Sequence, residues 1–489
     1  MKNSTVESRF ENCLGRFVVA RSEECIACGT CILSCHLGVH GRKPGFNRMT
    51  PPRNFLCEGP SCAEKETSCV AGCPRKALSV SENRQLAALG DSRWPPDMIL
   101  AVGEMARTGK APENGPPAEK GASFGGFDLM DFIFPSAVPK IEESAIDLSI
   151  PLNRRGAGEE IVIPIPIYGG GMSFGSISLT TMLARAMAAK ELGTFTSTGE
   201  GGYPEELVPY ADHIITQIAT GLFGVREETI KRSRIVEFKY AQGAKPGLGG
   251  HLLGDKVTER VAEMRQSVPG RSLFSPFPFH SVYSVEDHLQ HLDWIKAIHP
   301  GVLISVKVST PSDVDMVAVG SYYAGAHIIH IDGGYGGTGA APDIAKKNIA
   351  MPIEYAIPKA HQFLVNEGIR EEVVLMASGG IRTPHDIAKA IALGADGVII
   401  GTAELIALEC VRCGNCESGR GCPRGIATTD LDLEQMMDSE WGHRRLVNLY
   451  TAYAAQLRSL LKKFGLKSIR ELRGKMNLLS ASYEPGKAS

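Results

Sequence analysis

Residues 373–401 read VVLMASGGIRTPHDIAKAIALGADGVIIG, and this pattern decides the fold. VVLMAS (373–378) is a short, continuous apolar run that ends in glycines. TPHDIAKAIALGAD then gives a helix start, a periodic apolar face and a glycine stop, and GVIIG (397–401) is a second apolar run. Continuous runs of this kind suit parallel strands buried on both faces. The same unit recurs upstream as IPIPIYG (163–169), GTFTSTG (193–199), HIITQIA (213–219), IVEFKYA (235–241), VLISVKV (302–308) and HIIHID (327–332). LTTMLARAMAAKELG and EDHLQHLDWIKAIHP are among the helices between them. Eight strand–helix units predict an α/β chain closed into a (β/α)8 TIM barrel, with a long insertion between strands four and five.

Active sites in such barrels lie at the C-terminal ends of the strands. Glycine and ionisable groups concentrate there: GGGMSFGS, STGEGGY, AQGAKPGLGG, SVKVS, DGGYGGTGAAP, ASGGI and IGTAE. The last two follow strands seven and eight, where barrels commonly bind phosphate. Gly379, Gly380, Gly401 and Thr402 are placed to offer backbone N–H groups and a hydroxyl to a phosphate monoester. Taken singly, each glycine pair is equally well a tight turn.

Upstream of the barrel the composition changes. Of the 13 cysteines in 489 residues, eight lie between Cys25 and Cys73 and four between Cys410 and Cys422; Cys13 stands apart as a plain small residue. CIACGTCILSC (25–35) has the C-x2-C-x2-C-x3-C spacing of a bacterial ferredoxin half, whose fourth cysteine serves the other cluster. CEGPSCAEKETSCVAGCP (57–74) is looser but ends in C-x3-C-P. Crossing the halves puts Cys25, Cys28, Cys31 and Cys73 on one 4Fe–4S cluster, and Cys35, Cys57, Cys62 and Cys69 on another. A pair of structural zinc sites uses the same ligand type and stands as the alternative. TGKAPENGPPAEKGASFGG (108–126), rich in Gly, Pro and charge, reads as a linker, and FDLMDFIFPSAVPKIEES (127–144) as an arm that docks on the next domain. The expected organisation is a small α+β ferredoxin-like iron–sulfur domain (1–95), a linker and docking arm (96–150), the barrel (151–430) and C-terminal helices (431–489). LDLEQMMDSEWGHRRLVNLYTAYAAQLRSLLKKFG predicts two helices packed on the barrel.

The net charge is −2, with 43% hydrophobic and 22% charged residues, which fits a globular protein and gives no field for nucleic acid or anionic membrane. The N-terminal residues lack the apolar core of a signal peptide, and no run approaches the ~18 apolar residues of a membrane span. The expectation is a cytoplasmic protein, where clustered thiols read as metal ligands. No G-x-G-x-x-G lies between a strand and a helix, so direct pyridine-nucleotide binding is not expected.

GMSFGS, STGEGG, AQGAKPGLGGH, SVEDHLQ, SVKVS, GGTGAAP and C-x5-C-x5-CPRGIAT together resemble the FMN-binding synthase domain of the glutamate synthase family, in consistent order over about residues 160–430. With the ferredoxin-like front end, the chain is similar to the shorter, archaeal-type subunit. The resemblance implies FMN and reductive amination of 2-oxoglutarate to L-glutamate, with ammonia condensing at the carbonyl and electrons arriving through iron–sulfur clusters. It implies that Met172, Ser173 and Gln242 line the flavin ring, that Gly333, Gly334, Gly337, Gly379, Gly380, Gly401 and Thr402 cradle its phosphate region, and that Lys245 contacts substrate. Glu200 matches an acidic position that handles ammonia or a proton. Lys307, at the end of a central strand, is the cation expected near flavin N1 and O2. A third iron–sulfur cluster is implied at 410–422. Cys410, Cys416 and Cys422 match a 3Fe–4S ligand set, and the extra Cys413 allows 4Fe–4S; a zinc knot is the alternative.

Two departures touch the substrate pocket: His251 stands where the family has glutamine, and Leu248 where it has an acidic residue. They motivate two further readings, an N-methylglutamate synthase-type subunit using methylamine, and an electron-relay subunit whose barrel is inactive on 2-oxoglutarate. The chain has no room for the glutaminase domain of the large bacterial enzyme. The implied partners are therefore a separate glutaminase subunit and an NAD(P)H-oxidising flavoprotein subunit or ferredoxin.

Overall fold

The computed structural model describes residues 5–481 except 11–14, 66–67, 113–125, 247, 276–278, 280, 338–340, 342–343, 347 and 418–419. Cys13, the central part of the expected linker and most of TGAAP lie outside the described residues. The chain divides into two compact units, one of Glu7–Leu100 and one holding Val6 and the residues from Ala101 onward.

In the larger unit all eight expected strands are present: Ile167–Gly169, Thr196–Ser197, Ile214–Ala219, Ile235–Lys239, Leu303–Ser309, Ile328–Asp332, Val374–Ser378 and Gly397–Ile400. They pair in parallel and in chain order, and the eighth strand also pairs with the first. The sheet closes where the Gly169 N–H donates to the Phe195 carbonyl at 2.9 Å and Gly171 bridges Ser197. Nearly every strand residue is buried, because helices cover the outer face and side chains fill the inside.

The covering helices differ in quality. Leu179–Leu192 is capped by Ser178 and stopped by Gly193 in the left-handed region. Pro384–Ala392 is capped by Thr383, with proline in its first turn. After the second strand only a 3-10 segment forms, Glu205–His213, because Pro209 interrupts it. The long insertion carries a two-stranded hairpin, His251–Leu252 with Leu273–Phe274, and the helix Glu259–Arg265.

Two sequence expectations change. Residues 96–108, expected to open the linker, form the helix Pro96–Thr108; Met98, Ile99, Val102, Met105 and Ala106 recur on its buried face. At the C-terminal end one four-residue turn, Leu431–Glu434, precedes a single 26-residue helix, Ser439–Phe464. Asp438 caps it and Gly465 ends it, and nothing between breaks the apolar face that packs on Leu179–Leu192. Met130–Phe132 pairs with Leu479–Ala481, Phe134 stacks on Phe464 at 4.9 Å, and Asp128 lies 2.5 Å from the buried Arg382.

The smaller unit is built on one antiparallel pair, Phe17–Arg21 with Leu78–Glu82, and the short helix Thr30–Ser34. Its apolar core includes Cys31, with Cys25, Cys35, Cys57, Cys69 and Cys73 packed against it. Among the described residues no helix is long and apolar enough to cross a membrane.

Candidate functional site

Strand side chains alternate between the two faces, so residues two apart share the barrel interior. Polar groups at such positions join into one buried chain across five strands. Gln217 Nε2 donates to Glu237 at 2.7 Å, Ser305 Oγ donates to Glu237 at 2.9 Å, and His330 Nδ1 lies 2.9 Å from the same carboxylate. His330 Nε2 is 2.7 Å from Ser378 Oγ, which donates to Asp332 at 2.6 Å. Asp332 Oδ2 accepts from the Gly243 N–H at 3.0 Å and lies 3.3 Å from Lys307 Nζ. Burial opposes ionisation of Glu237, yet His330 and Lys307, with the Gln217 amide, bring its carboxyl down to about 2. Burial likewise opposes ionisation of Asp332, and Lys307 and His330 outweigh it, holding that carboxyl below its ordinary value.

A second charged group gathers at the ends of strands two and four and under the insertion. Glu200 lies 3.1 Å from Lys239 Nζ. Against burial, Lys239 first and then Lys245 and Arg265 keep its carboxyl below the ordinary range. Arg265 Nη2 donates to Ser173 Oγ at 3.0 Å and to the Phe174 carbonyl at 2.7 Å, which ties the insertion to the loop after strand one. The buried atoms Glu200 Oε2, Arg265 Nε, Ser275 Oγ and His251 Nε2 have no hydrogen-bond partner among the described residues. Polar atoms left so in a concave mouth are poised for a polar ligand. His251 stacks on Phe274 with ring centres 4.5 Å apart, and Leu248 is exposed.

The glycines serve two different ends. A Cβ on Gly243 would sit 2.0 Å from the Gly333 carbonyl oxygen, and one on Gly379, at φ +95°, would sit 2.4 Å from the same atom. Gly334 meets the Ala350 carbonyl in the same way. These residues bring the loops after strands four, six and seven backbone to backbone. Gly380 is also left-handed, at φ +94°. Gly401 instead faces open space, and no side chain caps the helix that begins at Thr402. Gly337 approaches Thr402 Oγ1, joining the loop after strand six to that helix start. Met172 and Ser173 pack their backbone against Gly199, and the Gln242 carbonyl accepts from the Lys245 N–H at 3.3 Å.

The thiols form three groups. Cys25, Cys28, Cys31 and Cys73 line one cavity with Arg21 and Met49. Left-handed turns at Ala27 and Gly29 fold the C-x2-C-x2-C segment around it. Burial pushes the Cys69 thiol up to about 11, helped by Cys35, Cys57, Cys31 and Cys62. Burial raises Cys57 too, and after the opposing Gly59 N–H its neighbours Cys62 and Cys35 add to the effect. In the larger unit burial pushes Cys410 up to about 11, with Cys416 and Cys422 adding to it against the Arg412 N–H; Cys413 is exposed. Among the described residues no three His, Cys, Asp or Glu side chains converge on a single ion. The first four thiols ring a volume, and crowded thiolates of this kind need compensating cations, which suits a polynuclear iron–sulfur group.

Sequence reasoning missed Lys239, Arg265, Glu237, His330, Asp332 and Ser378. For Glu237, Lys239, His330 and Asp332 the signal was polar residues two apart inside otherwise apolar runs, as in IVEFK and IIHID.

Residues 143–467 match the conserved region in glutamate synthase. The chain is 38% identical over 477 residues to an archaeal-type glutamate synthase (NADPH) of Dehalococcoides mccartyi, covering 94% of each chain. It is 34% identical over 488 residues to an archaeal glutamate synthase (NADPH) of Archaeoglobus fulgidus, covering 94% of this chain and 93% of that one. With the glutamate synthase (NADPH) large chain of Azospirillum brasilense it shares 38% identity over 315 residues, 63% of this chain and 21% of the other.

Proposed function

The chain belongs to the glutamate synthase family, and from that premise we propose that it is an iron–sulfur flavoprotein subunit that reductively aminates 2-oxoglutarate to L-glutamate. One observation carries the reading: Lys239, Lys245 and Arg265 gather around the single carboxylate of Glu200 in the buried mouth of the barrel. A basic pocket of that kind suits a dicarboxylate substrate.

Bound FMN supplies hydride chemistry, and iron–sulfur clusters supply its electrons. Lys245 binds a substrate carboxylate. Glu200, kept ionised by Lys239, accepts or returns the proton that moves as ammonia condenses with the carbonyl. Lys307, held by Asp332, presents positive charge to the flavin N1 and O2 edge. Ser173, fixed by Arg265, together with Met172 and Gln242 lines the ring. Gly401, Thr402 and Gly380 face the phosphate, with Gly333, Gly334, Gly337 and Gly379 shaping the loops around it. Residues 1–95 act as a ferredoxin-like module with two 4Fe–4S clusters on the crossed cysteine sets, and Cys410, Cys416 and Cys422 hold the third cluster. Ammonia comes from a separate glutaminase polypeptide, and electrons from an NAD(P)H-oxidising subunit or ferredoxin.

The test is to reduce anaerobically purified protein with dithionite and mix it with ammonia and 2-oxoglutarate. Flavin reoxidation matched by glutamate formation is expected; protein without FMN, or a flavin that stays reduced, sinks the reading. The partnerless Nε2 of His251 and its stacking on Phe274 favour a second reading, methylamine as the amine. It predicts faster reoxidation with methylamine than with ammonia.

A further inference from the structure

Arg21 ends the strand Phe17–Arg21 and enters the wall of the cavity lined by Cys25, Cys28, Cys31 and Cys73. Its Nη1 donates to the Thr50 carbonyl at 3.1 Å. Nε and Nη2 are buried and have no hydrogen-bond partner among the described residues. A guanidinium with two N–H-bearing atoms withdrawn from water is costly unless something in the cavity accepts from them. The buried His40 ring beside it offers no negative charge. Burial first, and then Arg21, push its pKa down, and neither ring nitrogen has a partner among the described residues.

Arg21 and the four thiols Cys25, Cys28, Cys31 and Cys73 line the same cavity, so a positive charge stands in the wall of that thiol set. One-electron reduction adds a negative charge to a cluster, so nearby cations and N–H donors stabilise the reduced form, and a carboxylate does the reverse.

We propose that Arg21 sets the reduction potential of the cluster held by Cys25, Cys28, Cys31 and Cys73, acting through its two unpartnered nitrogens. Arg21 is a tuning residue rather than a ligand. The inference rests on the reading that both sets hold 4Fe–4S clusters, which iron content and EPR spectra of the unaltered protein test separately.

The experiment is an anaerobic redox titration followed by EPR on the full-length holoprotein and on Arg21→Gln and Arg21→Lys. In Arg21→Gln one of the two N-terminal midpoints should fall by at least a tenfold change in the reduced-to-oxidised ratio, about 59 mV for one electron. The other midpoint should hold, and Arg21→Lys should fall between. Unchanged midpoints with full iron content, or equal shifts of both clusters, would overturn the proposal. Loss of the cluster from both variants, or from Arg21→Gln while Arg21→Lys titrates like the unaltered protein, would assign Arg21 to cluster assembly and overturn it equally.

Discussion

Lys307 Nζ and Asp332 Oδ2 stand 3.3 Å apart at the ends of adjacent parallel strands, and the same carboxylate oxygen takes the Gly243 N–H at 3.0 Å. One buried aspartate therefore orients the cation expected under the flavin and pins the loop that carries Gln242 and Lys245. Asp332→Asn keeps the shape and removes the charge, leaving the lysine without its counter-ion. Breaking a buried pair from one side costs about 3–5 kcal/mol, so the variant should unfold at markedly lower urea concentration. Lys307→Met combined with Asp332→Asn should recover much of that loss. A double variant no more stable than Asp332→Asn would show that Asp332 serves only its hydrogen bonds to Gly243 and Ser378.

Glu237 gives the barrel an acid limit. Its folded pKa is depressed, from the usual 4.5 to about 2, with burial opposing and His330 and Lys307 prevailing. A depressed carboxylate lends stability that is complete above its unfolded pKa and lost as pH falls through its folded one. The loss should fall between pH about 4.5 and about 2. Glu237→Gln should be less stable at neutral pH and show a flatter decline through that window in urea unfolding. A decline as steep as in the unaltered protein would remove Glu237 from the account.

The barrel was legible in the sequence because every strand is buried on both faces, which writes a continuous Val/Ile run such as VLISVKV. The network inside it was not. Whether Glu237 meets His330, and His330 meets Ser378, depends on register between strands distant in sequence, which an apolar run does not specify. The cysteine spacing pointed to the Cys25, Cys28, Cys31 and Cys73 set, and those four side chains line one cavity. Arg21 carries no motif and became visible only through its unpartnered nitrogens. The helix Pro96–Thr108 was passed over because its apolar face opens with two prolines and runs into a Gly- and Pro-rich stretch.

Gly243 and Gly401 should respond oppositely to alanine. At Gly243 the new methyl would lie 2.0 Å from a backbone oxygen of Gly333, which cannot move without displacing the end of strand six. Gly243→Ala should melt several degrees lower and bind less FMN. At Gly401 nothing lies within 4 Å among the described residues and φ is −135°, so Gly401→Ala should melt like the unaltered protein. Thermal denaturation of the two variants side by side decides it, and equal melting temperatures would contradict the backbone contact.

The third cysteine group tests how many thiols hold its cluster. Cys410 feels Cys416 and Cys422, whereas Cys413 is exposed. Three thiol ligands suit a 3Fe–4S centre, and a fourth is what a 4Fe–4S cluster requires. Cys413→Ser should therefore keep the iron content and the EPR signal of the oxidised protein. Cys416→Ser or Cys422→Ser should lose the iron of one cluster, while the N-terminal clusters keep their spectra. Those spectra also control for folding, because a general collapse would remove all signals together. If Cys413→Ser instead loses as much iron as Cys416→Ser, Cys413 is a ligand and the cluster is of the four-thiolate type.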